Sequence, residues 1–172
     1  MKVIQIILLL LISSVSVASD KGEYMLSEKE LAVLKVGKSV AEELAKKLQN
    51  SGDPKKIEAL DLMNQMALIK QFLVSRTMTV PVAHCMSVEG GENLKKLYDQ
   101  WIDTAKDDIR NGYEIIKDGF QGMSYEEMDK GTIAKIEELE SKYSSYSEDE
   151  LKSECVKNKK SISVFLAGYE NT

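Results

Sequence analysis

Histidine and tryptophan each occur once in this 172-residue chain, and cysteine and proline twice each. Each scarcity closes a class of chemistry. One His and two Cys cannot fill a four-ligand zinc site of the usual nitrogen and sulfur type without carboxylates or a second subunit. Haem attachment of the c type needs Cys-x-x-Cys-His, which does not occur. A ferritin-like di-metal bundle needs Glu-x-x-His, whereas the residue three before His84 is Pro81. No nucleophile elbow, phosphate loop or metal box is found, so the chain is not expected to be an enzyme and no cofactor is called for. His84 beside Cys85 does not read as a nucleophile and its base, because sequence neighbours rarely bring the two groups within hydrogen-bond reach. Asp99, Asp103 and Asp107 recur at four-residue steps, the pattern of a solvated helix face.

Basic excess is lacking too. Lysine and arginine number 23 against 28 acidic residues, a formal net charge of −5, and phosphate binding needs a basic face, so nucleic acid is not an expected partner. No period-two run bounded by hairpin turn signals is found, which leaves no sheet to build.

What the chain does have begins at its start. Met1-Lys2 is followed by an apolar run from Val3 to Ile12, interrupted only by Gln5, and then by the small and polar stretch Ser13 to Ser19. The run is too short to span a bilayer core of about 30 Å as a helix, and the pattern is that of a secretory signal peptide cut after Ala18 or Ser19. Residues 1–19 are therefore expected to be removed, and residues 20–172 to form one exported domain with no membrane span. A periplasm is the preferred compartment, with an extracellular destination as the other, because no Asn-x-Ser/Thr sequon is present and two cysteines suit an oxidising space.

Periodicity and capping predict about five amphipathic helices. Ser27-Glu-Lys-Glu30, Ser124-Tyr-Glu-Glu127 and Ser147-Glu-Asp-Glu150 are capping boxes, and Asp53-Pro54 is a cap followed by a proline at the first helical position. After the first box, Val33, Val36, Val40, Leu44 and Leu48 draw one apolar stripe, beside small Gly37, Ala41 and Ala45, the face expected to turn inward. The second helix is the greasiest, through Ile57, Leu60, Met63, Phe72, Leu73 and Val74, and is expected to lie centrally and to stop or kink before Pro81. A third runs from about Glu92 to Asp118, with Leu94, Leu97, Tyr98, Trp101, Ile102, Ala105, Ile109, Tyr113 and Ile116 on one face and Gly119 to end it. Gly112 within it points to a bend or a close crossing. The fourth carries Met128, Thr132, Ile136, Leu139 and Tyr143; the fifth carries Leu151, Cys155, Ile162, Phe165 and Leu166 and is expected to end near Gly168. The fold class is all-α, a single-domain helical bundle.

Cys85, in the link between the second and third helices, and Cys155, on the fifth, are expected to form one disulfide. Removing Lys2 with the leader takes the net charge to −6, and the window from Glu126 to Glu150 carries nine acidic residues against Lys130, Lys135 and Lys142. That window is the candidate partner-binding face, with Glu137, Glu138, Glu140 and Asp149 to steer a basic protein and Tyr143 and Tyr146 to anchor it. The expected function is a non-enzymatic protein-binding module, of the inhibitor or immunity type, for a cationic envelope or cell-wall-targeting protein. The alternative is a carrier or chaperone for Cu(I), an apolar ligand or an unfolded client, suggested by Met63, Met66, Met78 and the His84-Cys85-Met86 triplet.

Overall fold

The computed structural model of the chain describes residues 26–170, so the expected leader, residues 1–19, lies outside the described residues. Five long helices and one short one follow in order: α1 Glu28–Gln49, α2 Pro54–Thr77, α3 Thr79–Cys85, α4 Gly91–Lys117, α5 Tyr125–Ser144 and α6 Glu148–Glu170. No strand is found among the described residues; the nearest thing is an isolated bridge between Phe120 and Met123. The architecture is the single-domain all-α bundle that the periodicity predicts.

The local signals act where the chain places them. In the α1 and α5 caps, Ser27 and Ser124 accept from the backbone N–H of Glu30 and Glu127, whose carboxylates accept from the Ser backbone in return. Ser147 and Glu150 repeat the exchange at α6. Each such cap stabilises its helix by about 1 kcal/mol. Asp53 accepts from Lys55 N ahead of Pro54 in α2. The break expected before Pro81 falls at Met78, and the chain then resumes as α3, a short helix in what reads as a link. Pro81 sits in the first turn of α3, where no intrahelical N–H is required. Gly119, at φ 89°, ends α4 in the left-handed conformation that favours glycine.

α2 and α4 form the centre. They cross so closely at Gly112 that a Cβ there would stand 2.1 Å from the Leu68 carbonyl oxygen; the glycine buys backbone contact, without a positive φ. Trp101 of α4 is wholly buried, stacked on Phe165 of α6 with centroids 5.1 Å apart and edge-on to Tyr98 at 6.0 Å. Around it gather Val80, Val82 and Cys85 from α3, Leu94 and Ala105 from α4, Tyr143 from α5, and Leu151, Cys155, Ile162 and Leu166 from α6. The disulfide joins Cys85 to Cys155 inside this cluster, with the two Cα atoms 5.7 Å apart. It fastens α6 to the segment leading into α4.

α6 ends at Glu170, near the Gly168 end expected from the sequence, and Tyr169 packs on the core and donates its hydroxyl to Asp108. One expectation changes, in α1. The residues it buries are Leu34 and Ala41, and Leu34 makes a small separate cluster with Leu26, Val164, Ala167 and half-buried Leu31. The stripe expected to face inward lies mostly outside: Val33 is 62% exposed, Val36 65%, Val40 58% and Leu44 42%. The apolar arc of α1 is wider than the surface α2 and α6 offer it, and the part centred on Leu34 and Ala41 takes the interior.

Candidate functional site

The acidic window folds into α5 and the first turn of α6. Its carboxylates are largely engaged at home. Glu126 pairs with Lys130 (3.8 Å), Glu138 with Lys135 (2.7 Å) and Glu148 with Lys152 (2.7 Å). Asp129 is bridged by Arg76 of α2, a half-buried pair that ties the two helices. Glu127 and Glu150 are held below the usual carboxylate range by hydrogen bonds from Ser124 and Ser147. Glu140 accepts from His84 Nε2 at 2.7 Å. Glu137 and Asp149 stand exposed and take part in no hydrogen bond or ion pair. Exposed pairs of this kind are worth little individually, and they leave the acidic excess of the segment only partly compensated.

The two tyrosines part company. Tyr143 is buried; its hydroxyl accepts from Asn158 Nδ2 at 2.7 Å, and burial raises that hydroxyl above its ordinary pKa. It is part of the core cluster. Tyr146 is half-buried, meets Tyr143 edge-on at 5.3 Å and carries the Lys142 ammonium 5.7 Å from its ring centre. Of the six residues proposed for the acidic face, Glu137, Glu138, Glu140 and Asp149 lie at the surface, Tyr146 at its margin and Tyr143 inside.

The cysteine sulfurs and the imidazole are likewise committed. Both cysteines are in the disulfide. His84 bonds Glu140 and lies 5.7 Å from the Tyr143 ring, while Met86 is exposed. The triplet therefore does not converge as a ligand set. Among the described residues no three His, Cys, Asp or Glu side chains cluster as a metal site. Asp99, Asp103 and Asp107 lie exposed along α4 with Lys95, Lys106 and Arg110 as salt partners. No helix among the described residues is long and apolar enough to cross a membrane.

The surface feature that lacks a structural explanation is the outer face of α1. Val33, Val36, Val40 and Leu44 recur at steps of three, four and four, so they form one row along the helix. Single exposed aliphatics are ordinary on a protein surface; these four are contiguous on one helix. Exposed Lys29, Glu43 and Lys47 flank the row, and Glu43 and Lys47 pair at 2.7 Å. Reading the sequence finds this row but assigns it to the core. The signal that separates the two uses is the total apolar arc: residues 33, 36, 40 and 44 together with 31, 34, 41, 45 and 48 cover more of the cylinder than two neighbouring helices can bury.

The chain matches no protein-family model, no curated protein and no solved structure.

Proposed function

We propose that the chain is a non-catalytic, exported protein-binding module whose contact surface is the outer face of α1. The observation that carries this reading is the row Val33, Val36, Val40 and Leu44, each between 42% and 65% exposed. Helical rows of this spacing are the anchors with which an amphipathic helix enters an apolar surface of another protein. The engaged cysteines, histidine and aspartates support a binding role over a catalytic or copper-carrying one. The acidic surface of α5 and the start of α6 takes a secondary part: exposed Glu137 and Asp149 would speed encounter with a cationic protein without anchoring it.

Affinity capture from native extracts separates the two surfaces. Val36→Glu and Val40→Glu together should abolish capture of any partner, since a charge driven into an apolar contact is costly. Reversal of Glu137, Glu138 and Glu140 to Lys should slow binding and flatten its salt dependence while leaving a measurable complex. Loss of the partner on charge reversal alone, with the α1 variant still binding, would return the contact surface to α5.

A further inference from the structure

We infer that α1 is a detachable arm: it undocks from the bundle as one unit, hinged at residues 50–53, while α2 to α6 stay folded around the disulfide. Undocking is a property of the chain alone and goes beyond the reading above, whatever meets the outer row.

The inner face of α1 is thinly held. Over 22 residues the helix buries Leu34 and Ala41, whereas α4 buries six residues over 27. α5 also buries two, Thr132 and Tyr143, but it is tied to its neighbours by Arg76 on Asp129, His84 on Glu140 and Asn158 on Tyr143. α6 is bonded covalently through Cys155. α1 contains no cysteine, and Glu30 near its start pairs with Lys160 of α6.

A charge on the same face opposes docking. Lys38 stands four residues after Leu34 and three before Ala41, so it shares their side of the helix. Its Nζ is shut off from solvent and has no hydrogen-bond partner among the described residues. Burying an ammonium without an acceptor is costly, and undocking returns it to water.

The turn that follows lets the helix leave. Asn50, Ser51 and Gly52 are exposed, and Gly52 sits at φ 66° with nothing within 4 Å of where a Cβ would stand. Hydrogen bonds in the turn are local: Asn50 N donates to Lys46 O, Ser51 N to Leu48 O and Asp53 N to Ser51 Oγ. A segment with few buried apolar groups and an exposed connection opens more readily than the domain as a whole. Undocking uncovers Val164 and Ala167 of α6, which share the small cluster with Leu34.

The test is native-state hydrogen exchange of the purified, oxidised chain, read amide by amide by NMR at low urea concentrations. A free helix of this length is only marginally stable in water, so its amides exchange once it leaves. Amides of residues 34–44 should share one protection factor, at least about 100-fold below that of residues 94–116, and should respond weakly to urea because little surface is exposed. Two kinds of substitution separate undocking from global unfolding. Ile116→Val, in the core that the undocked state keeps, should lower protection of residues 94–116 about fivefold and leave residues 34–44 unchanged. Glu30→Gln, which keeps a capping side chain but removes the charge opposite Lys160, should lower protection of both segments about tenfold. Lys38→Met should raise both about tenfold. Protection of α1 equal to that of α4 overturns the proposal, as does loss of α1 protection on Ile116→Val. Protection that climbs steadily from Glu28 inward, indifferent to Glu30→Gln and Lys38→Met, shows fraying of a helix end and overturns it too.

Discussion

Around Trp101 four helices and a covalent bridge close over side chains drawn from α3, α4, α5 and α6, whereas α1 is held to α6 by a small apolar cluster about Leu34 and by the Glu30–Lys160 pair at 2.5 Å. Both regions are built from amphipathic helices with capping boxes. They differ in what is done with the apolar surface. The core spends nearly all of it inside, and α1 leaves a row of four aliphatic side chains in water. A helix that needs only part of its apolar arc for folding can offer the remainder for contact, and the difference between the regions can be tested by perturbing each in turn.

The largest effect should come from opening the disulfide. Cys85 and Cys155 are 70 residues apart in sequence, and closing a loop of that length stabilises the fold by about 4 kcal/mol in the chain-entropy account. Replacing both with Ser should lower the free energy of urea unfolding by up to that amount. Next comes Gly112→Ala, whose methyl group would collide with the Leu68 carbonyl and should cost about 2–3 kcal/mol by forcing α2 and α4 apart. Glu30→Gln tests the attachment of α1. The Glu30 carboxyl is brought down to about 2 from an ordinary 4.5, first by the hydrogen bond from Lys160 and then by that from the Ser27 backbone. A depressed folded-state pKa adds stability that is fully present above about pH 4.5 and is lost as the pH falls towards 2. The wild type should therefore exceed the variant by about 1–2 kcal/mol at neutral pH, and the gap should close across that acid window in melts followed by circular dichroism. The smallest effect belongs to Val36→Ala, which should change monomer stability by less than about 0.5 kcal/mol while weakening whatever binds α1. A large stability loss there would erase the distinction between the two regions.

Most of the fold is legible in the letters because its signals are local. Ser27, Asp53, Ser124 and Ser147 cap where they stand, Gly119 stops α4, and the face from Leu94 to Ile116 repeats so regularly that its burial follows from spacing alone. The cysteine pairing is legible because only one partner exists for each. One thing is not. Whether Val33 or Leu34 faces the interior depends on how many helices flank α1, which is a property of the assembled bundle. The acidic window shows the same boundary from the other side. Its charge is plain in the sequence, but that Arg76 reaches Asp129, that His84 reaches Glu140 and that Tyr143 turns inward to Asn158 are products of tertiary packing.

The most direct test of which surface makes the contact is a side-by-side photo-crosslinking measurement in the producing cells, with a photoreactive residue at Val36 on α1 in one strain and at Glu137 on α5 in another. The account predicts a discrete protein adduct from position 36, and little or none from position 137. An adduct from 137 with none from 36 would contradict it.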